Sequence, residues 1–327
     1  MRVLAGDVGG TTTRLRLIDF DTPEPRGRVA AEQHFASGRY PALTTLVGEF
    51  LDAQPGEPIT AACLALAGPI EEKEGGQRVQ LTNLPWHETS EELADRLAIP
   101  QLRLINDFEA AAFGIETLEP DELLALQPAT PRARAPRLLV GAGTGLGVAL
   151  LTWQQGRYQP LPSEAGHMDF APASELQWRL WNVLQQHHGH VSWERLVSGP
   201  GLQTLYRFLL NEAGRKGGAE SPAAITQRAI NGSDGVAAQT LELFLELYGA
   251  FTGNLALATL PRGGVFIAGG IAPKIKESMA RSNFITAFRA KGRHSGLLAA
   301  LPVQLVMQDD LGLRGAAVVA RRLHYEP

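Results

Sequence analysis

Three short glycine-rich stretches of this chain, two of which also contain threonine, are of a kind that can hold phosphate. The first two have strand-like flanks, one alternating polar and apolar residues and the other apolar on both sides, so their glycines join strand to strand as hairpin tips. The third is an apolar strand that ends in two glycines. Glycine allows consecutive backbone N–H groups to converge on one anion. The residues concerned are Gly6, Asp7, Val8, Gly9, Gly10 and Thr11; Gly141, Gly143, Thr144 and Gly145; and Gly269 and Gly270.

A single such hairpin has a simpler explanation, a tight turn whose glycines need a positive φ. Two hairpins of the same kind instead favour two similar lobes that face one nucleotide. The first hairpin contains no GxGxxG, and the chain contains no GK[ST], so the dinucleotide and Walker patterns do not apply. The sequence therefore predicts nucleotide binding by glycine-rich hairpins.

Asp107 lies where the predicted strand Gln101 to Phe108 stops. A carboxylate at the carboxyl end of a parallel strand points to the edge where open α/β sheets bind ligands. An alternative is that Asp107 caps the following helix, predicted over Phe108 to Phe113. The two roles are compatible.

Glu164 and His167 lie three residues apart, separated by small residues. On a tight loop or a helical turn both side chains could face one ligand, and the alternative is a simple surface pair. The cluster His187, His188 and His190 ends an amphipathic helix that begins near Ser174, and imidazoles near the carbonyl end of a helix are favourable without any metal. The spacing around Glu194 leaves its role open.

The elements that position these residues follow the order β-β-β-α-β at the start of the chain. After the first hairpin we predict a turn at 23–27, a strand at 28–35, a helix at 42–53 and a buried strand at 59–67. A helix over 89–97 follows, with a capping box at Ser90. Further on, Ser198 caps a helix that runs to Leu210, and a long apolar helix spans 241–260. The segment 312–320 is predicted to be a helix that packs back on the first lobe.

Composition limits the function classes. At 327 residues the chain exceeds the size of most single cores, so two domains are expected. The net charge is −4, so the chain has no excess of positive charge, which argues against nucleic acid as a partner. Cys63 is the only cysteine, so we expect neither disulfides nor a cysteine zinc site. The apolar residues before Asp7 are too few for a signal peptide or a membrane span, so a cytoplasmic protein without a membrane partner is expected.

Seven stretches in order resemble the motifs of the bacterial glucokinase family, which belongs to the actin-like ATPase superfamily of sugar kinases and Hsp70. They are GDVGGTTTR, LTNLPWH, INDFEAAAFGI, GAGTGLGVALL, SEAGHMDFAP, HVSWERLVSGPGL and GGVFIAGGIAP. The resemblance covers essentially the whole chain. It implies an α/β, two-lobed actin-like (ribonuclease H-like) ATPase fold with a nucleotide and sugar cleft between the lobes. The small lobe would comprise 1–112 and 313–327 and the large lobe 113–312, usually in a homodimer.

The resemblance also implies the chemistry: a glycolytic glucokinase that phosphorylates D-glucose at its 6-hydroxyl with ATP. Asp107 would be the catalytic base, and the glycine-rich stretches would surround the nucleotide. Asn106, Asp107, Glu164, His167 and Glu194 would contact the sugar. Because the chain lacks a Walker lysine, backbone N–H groups, the Thr11 and Thr144 hydroxyls and a Mg²⁺ ion must neutralise the phosphates. Asp7 is the expected magnesium carboxylate, acting through water, and no zinc is expected.

Two other functions remain open at this point. One is a kinase for another hexose or for an N-acyl amino sugar, since the motifs do not specify stereochemistry. The other is a sugar-sensing regulator without catalysis; against it, Asp107 is intact and no helix-turn-helix extension precedes the first hairpin. The chain departs from the usual family pattern at Thr12, where Asn is common, and at Ser163 and Ala165, where glycines often flank the sugar-site glutamate.

Overall fold

A computed structural model describes residues 1–21, 25–68, 70–73, 76–79, 84 and 86–325. The chain divides into two compact units, one formed by Met1–Glu119 and Asp310–Pro327 and the other by Pro120–Asp309. The turn predicted at 23–27 and the LTNLPWH stretch at 81–87 lie partly outside the described residues.

The first unit is built on a mixed sheet. Where the structure describes it, five strands lie in the order β3-β2-β1-β4-β7, with β1, β2 and β3 antiparallel and β1, β4 and β7 parallel. Strands β5 and β6 form a separate hairpin. The elements are β1 (Arg2–Val8), β2 (Thr12–Asp19), β3 (Arg28–Ala36), α1 (Leu43–Asp52), β4 (Ile59–Leu66), β5 (Ile70–Lys73), β6 (Gly76–Val79), α2 (Ser90–Leu97), β7 (Leu102–Asn106) and α3 (Asp107–Gly114).

The second unit repeats this sheet pattern. Its described strands lie in the order β11-β10-β9-β12-β13-β8, again with a three-stranded antiparallel part joined to parallel strands, and β8 adds an antiparallel edge. The elements are β8 (Leu123–Gln127), β9 (Arg137–Ala142), β10 (Leu146–Gln154), β11 (Arg157–Ser163), α4 (Glu175–His188), α5 (Gly199–Glu212), α6 (Pro222–Ile230), α7 (Gly235–Thr259), β12 (Gly264–Ala268), α8 (Lys276–Arg281), α9 (Phe284–Arg289), α10 (Ser295–Ala299) and β13 (Val303–Val306).

The last helix, α11 (Leu311–Tyr325), belongs to the first unit, as predicted, and packs on α3, β4 and β1. The contact with α3 is close, since a Cβ at Gly315 would lie 1.7 Å from the Ala110 carbonyl oxygen. Only glycine allows the two backbones to approach this far. This contact fixes α3, the helix that begins with Asp107, against the sheet of its own unit.

Several sequence predictions are confirmed and two are corrected. The apolar spacing of the first helix is that of α1, whose Leu46, Val47 and Phe50 side chains are fully buried. The capping box of α2 uses Thr89 and Glu92, because Thr89 rather than Ser90 accepts the backbone N–H of Glu92. The long helix α7 begins at Gly235, before its apolar run, because Asp234 caps it there. No helix within the described ranges is long and apolar enough to cross a membrane.

Candidate active site

The first glycine-rich hairpin joins β1 to β2, and its tip is held by Ser37. The Gly9 N–H donates to the Thr12 carbonyl at 3.0 Å, and the Ser37 hydroxyl donates to the Gly9 carbonyl at 2.7 Å. The Ser37 N–H donates to the Thr11 carbonyl at 3.0 Å. Neither Gly9 nor Gly10 has a positive φ, so the simple turn explanation is wrong. The hairpin instead presents an ordered, exposed tip at Thr11.

Three residues assigned to the nucleotide from the motifs are buried inside their strands. Val8 has no exposed surface, and a Cβ at Gly6 would lie 2.5 Å from the Leu64 side chain. Gly141 is also buried, in β9. These residues shape the hairpins from within the sheets, because they offer little or no surface to a ligand. Asp7, by contrast, is partly exposed.

The second glycine-rich hairpin joins β9 to β10 and is fixed from two sides. The Gly143 N–H donates to the Gly145 carbonyl at 2.8 Å, and the Gly199 N–H donates to the Gly143 carbonyl at 2.8 Å. Gly199 is the first residue of α5, so the start of that helix is tied to the hairpin tip. The Thr144 side chain at the tip is exposed.

A buried tyrosine supports the base of this hairpin. The Tyr248 hydroxyl accepts the Ala142 N–H at 3.2 Å and donates to the Val140 carbonyl at 3.1 Å. Its side chain is fully buried in α7, and burial raises the pKa of the phenol strongly. The hydroxyl is therefore a neutral donor and acceptor that fixes the last residues of β9.

Gly269 lies directly against the same hairpin. Its φ is +89°, and a Cβ there would lie 2.5 Å from the Ala142 carbonyl oxygen. Gly270 has open space around its Cα. The two adjacent glycines therefore differ: the first is required by backbone conformation and close approach, and the second leaves a free surface beside the hairpin.

Asn106, not Asp107, caps helix α3. The Asn106 side-chain oxygen accepts the N–H groups of Phe108 at 2.9 Å and Glu109 at 3.2 Å. Its amide nitrogen donates to the Gly68 carbonyl at 3.1 Å and keeps a second hydrogen for a ligand. Asp107 is the first residue of the helix, and its side chain keeps exposed surface although the surrounding protein partly desolvates the carboxyl group. The capping alternative for Asp107 is thus wrong.

Asp7 and Asp107 are two carboxylates of the first unit, and the charge of Asp7 affects the pKa of Asp107. Desolvation, followed by the negative charge of Asp7, raises the pKa of Asp107 to about 6 despite the opposing backbone N–H of Phe108. Desolvation also raises the pKa of Asp7, and Arg14 on the neighbouring strand opposes that change. Like charges held close in this way favour a cation between or beside them.

Asp7 fits the role of magnesium ligand as far as donor chemistry goes. Mg²⁺ prefers oxygen ligands and is often held by one or two carboxylates together with substrate phosphates. The described residues contain no group of three or more His, Cys, Asp or Glu side chains arranged to hold a metal by themselves. A magnesium ion here would therefore depend on the nucleotide for its remaining ligands.

In the second unit, Glu164, His167 and Glu194 converge. Nε2 of His167 lies 3.9 Å from Glu164 Oε2, and Nδ1 lies 4.0 Å from Glu194 Oε1. The side chains are 88%, 58% and 32% exposed in the order Glu164, His167, Glu194. Glu164 thus lies within ion-pair distance of His167, which agrees with the alternative of a surface pair. Glu194 lies on the other side of the imidazole ring, so the three side chains form a cluster. Such a set offers acceptors and an imidazole to a polyhydroxyl ligand.

The loop that carries Glu164 and His167 is pinned at Gly166. The Glu194 N–H donates to the Gly166 carbonyl at 2.9 Å, and a Cβ at Gly166 would lie 2.1 Å from the Leu146 carbonyl oxygen. The Ser163 hydroxyl accepts the Ala165 N–H at 3.2 Å, so the serine that replaces a common family glycine stabilises the turn. Helix α4 begins after Ser174 and ends within the histidine cluster, at His188, as predicted, and Gly189 is its C-cap.

Sequence reasoning missed two supports of this site. Ser37 belongs to no motif and lies 26 residues after Thr11 in the chain. Tyr248 lies within an apolar helix, where its hydroxyl gave no signal of a role at the hairpin. Gly166 is part of the SEAGHMDFAP stretch, and its contact with Leu146 gives a physical reason for glycine at that position.

Comparisons with known proteins agree with these motifs. The family model described as Glucokinase matches residues 4–323. A glucokinase of a Nostoc species is 42% identical, over 98% of this chain and 99% of the relative. A crystal structure of glucokinase from an Antarctic psychrotroph is 34% identical, covers 98% of this chain and 99% of that one, and has a TM-score of 0.88. A Streptomyces griseus ROK family glucokinase in complex with glucose and AMPPNP has a TM-score of 0.63 at 20% identity, covering 98% of this chain and 100% of that one.

Proposed function

Because this chain belongs to the glucokinase family, we propose that it is an ATP-dependent glucokinase that phosphorylates D-glucose at its 6-hydroxyl. The fold is the α/β actin-like ATPase fold predicted from the motifs. The observation that carries the mechanism is Asp107, an accessible carboxylate at the start of α3 whose pKa is raised to about 6. A base with a pKa near the working pH is well suited to accept a hydroxyl proton.

Asp107 is the proposed general base. It would accept the proton of the sugar 6-hydroxyl as the oxygen attacks the γ-phosphorus and the bond to the ADP oxygen breaks. Because Asn106 holds the start of α3 through two hydrogen bonds, the Asp107 side chain is presented at a fixed position. The remaining hydrogen of the Asn106 amide would donate to a sugar hydroxyl.

The sugar contacts of the second unit are proposed to be Glu164, His167 and Glu194. Carboxylates only accept hydrogen bonds, whereas neutral histidine both donates and accepts. At 3.9 and 4.0 Å the imidazole makes no direct hydrogen bond with either carboxylate, so ring and carboxylates keep these donors and acceptors for hydroxyls of a ligand. The set can therefore distinguish the positions of several hydroxyls on one ring.

The phosphate groups would be bound chiefly by the two hairpin tips. Exposed Thr11 and Thr144 lie at tips whose backbone is held by Ser37 in one unit and by Gly199 in the other. Gly10 and Gly145 would contribute backbone N–H groups, and Gly269 and Gly270 would border the nucleotide. Gly9 and Gly143 would shape the tips, because their own N–H groups close the two turns. Asp7 would hold Mg²⁺ through water. The ion, when bound, supplies positive charge to the β- and γ-phosphate oxygens.

The proposal extends to the setting of the enzyme. On the family pattern we propose a cytoplasmic, glycolytic homodimer, with the two compact units as its small and large lobes. Sedimentation equilibrium at micromolar concentration tests the dimer, and a mass near the 35.2 kDa of one chain would contradict it.

The deciding experiment for function is a kinase assay that detects ADP, with Mg-ATP and a panel of sugars. The panel contains glucose, mannose, galactose, fructose and N-acetylglucosamine. We expect the highest kcat/KM for glucose. A higher value for another sugar would assign a different hexose or amino-sugar kinase, and activity on none of them would favour a sugar-sensing regulator.

A further inference from the structure

A basic cavity lies in the second unit beside the Thr144 hairpin. Its volume is about 320 Å³, which is within the usual range for small-molecule sites. Part of its lining belongs to the proposed active site and part comes from the end of α4, the loop before α5 and α5 itself. The lining residues that matter here are Thr144, His167, Glu194, His188, Arg195 and Arg207.

The positive charges of this cavity are poorly neutralised. Arg207 forms no ion pair within the described part of the chain. Arg195 is bound through Nε to the His190 carbonyl at 3.2 Å, which leaves its other guanidinium nitrogens free of ion pairs among the described residues. His190 itself pairs with Asp169 at 3.0 Å. Two arginines that line the cavity therefore have no carboxylate partner among the residues that the structure describes.

The positive charges of this cavity affect the pKa of the neighbouring His188 imidazole. The pKa of His188 is lowered, first by desolvation and then by the positive charges of Arg195, His187 and Arg207. The repulsion indicates that the His188 imidazole lies close to the two guanidinium groups. Glu194 is the one acidic residue among the described lining, and its Oε2 already accepts the Leu146 N–H.

We propose that this cavity binds a phosphate group, carried by a phosphorylated sugar. Arginine recognises phosphate oxygens with paired N–H donors, and the Thr144 hydroxyl on the same wall can donate as well. The hydroxyls of Ser198 and Thr204 already donate to the carbonyls of Glu194 and Pro200. The sugar hydroxyls would reach His167 and Glu194, which line the same cavity. A phosphorylated hexose would then compete with the hexose substrate. The choice of a sugar as carrier rests on the proposed function, whereas the phosphate site does not.

Isothermal titration without ATP, at constant ionic strength, tests the site. The ligands are inorganic phosphate, glucose 6-phosphate and, as a neutral reference, glucose. We expect glucose 6-phosphate to bind, and Arg207→Gln to weaken it about 5- to 20-fold, because one charged hydrogen-bonding partner is lost at an exposed site. Arg195→Gln and His188→Gln provide independent variants. Arg179→Gln is the matched control, since Arg179 pairs with Glu175 and Glu212 and does not line the cavity.

A kinetic arm uses an assay that detects ADP, so that glucose 6-phosphate is not consumed. Glucose 6-phosphate should raise the KM for glucose without lowering kcat, and this effect should diminish in Arg207→Gln. If inorganic phosphate bound as tightly as glucose 6-phosphate, the cavity would be a phosphate site, but the proposal that a sugar carries the phosphate would be wrong. No binding of either ligand at millimolar concentration, or equal weakening in Arg179→Gln, would overturn the site. Phosphate binding without kinase activity would instead overturn the proposed function.

Discussion

Glu194 forms a direct hydrogen bond with Leu146, the residue that follows the tip of the second glycine-rich hairpin. Its Oε2 accepts the Leu146 N–H at 2.9 Å, and a Cβ at Gly145 would lie 2.7 Å from the same oxygen. Its other carboxylate oxygen lies 4.0 Å from the His167 ring. One side chain therefore links the proposed sugar-binding cluster to the proposed phosphate hairpin. Glu164 makes no such connection and is 88% exposed.

This difference predicts distinct effects for two alanine variants. Glu164→Ala should raise the glucose dissociation constant about 5- to 150-fold through the loss of one hydroxyl partner, at about 1–3 kcal/mol, and leave the ATP constant unchanged. Glu194→Ala should weaken glucose binding at least as much. It should also raise the KM for ATP, because the Leu146 N–H loses its hydrogen-bond partner. Calorimetric titrations with glucose and with an ATP analogue separate the two. Unchanged ATP affinity in Glu194→Ala would contradict the link.

Asp107→Asn should abolish most turnover and retain glucose binding. The amide can still bond to the 6-hydroxyl but cannot accept its proton, and loss of a general base typically costs about 10²–10⁴-fold in rate. Asp95→Asn, at an exposed position of α2, is the control. Steady-state kcat and glucose binding by tryptophan fluorescence are the measurements. Turnover within threefold of the unaltered enzyme would exclude Asp107 as the base.

The pH dependence follows from the same carboxyl group. The base must be ionised, so a pKa raised to about 6 predicts that kcat/KM for glucose falls as the pH drops below about 6 and levels off above it. A profile of kcat/KM for glucose against pH, at saturating Mg-ATP, measures the break. A profile that stays flat well below pH 6 would contradict Asp107 as the base.

Periodicity and turn chemistry were sufficient to predict much of the fold. The buried strand β4, the amphipathic helix α1 and the Ser198 cap of α5 depend on local spacing, which the sequence displays directly. The repeated glycine-rich hairpins predicted two similar lobes, and each compact unit of the structure contains the same strand pattern. These features need no knowledge of distant contacts.

Other features depend on contacts that sequence spacing cannot reveal. Asn106 and Asp107 are adjacent residues that can each cap a helix, and only the backbone geometry decides that Asn106 does so. Ser37 reaches the first hairpin because β3 lies beside β2 in the sheet. Tyr248 reaches the second hairpin because α7 packs beneath β9. Each is a tertiary consequence of chain packing.

Tyr248→Phe should destabilise the base of the second glycine-rich hairpin. It leaves the buried Ala142 N–H and Val140 carbonyl without their partner, which costs about 1–3 kcal/mol of unfolding free energy. The KM for ATP should rise as well. Tyr206→Phe is the control, since its hydroxyl bonds to Asp234 at 2.6 Å, away from the hairpin. Urea unfolding and ATP kinetics are compared for the two, and an equal rise in the KM for ATP in both would contradict a specific role for Tyr248.

Gly269 and Gly270 allow the sharpest test of the hairpin contact, because they are neighbours with opposite surroundings. Gly269→Ala places a methyl group 2.5 Å from the Ala142 carbonyl at a φ of +89°, so it must displace the hairpin or strain the backbone. We expect it to lose at least about 1–2 kcal/mol of unfolding free energy and to raise the KM for ATP. Gly270→Ala has open space and no positive φ, so its stability should stay within about 0.5 kcal/mol. If Gly270 borders the nucleotide, the added methyl should still raise the KM for ATP. Equal stability of the two variants would show that Gly269 does not hold the hairpin, and an unchanged KM in Gly270→Ala would remove that glycine from the nucleotide site.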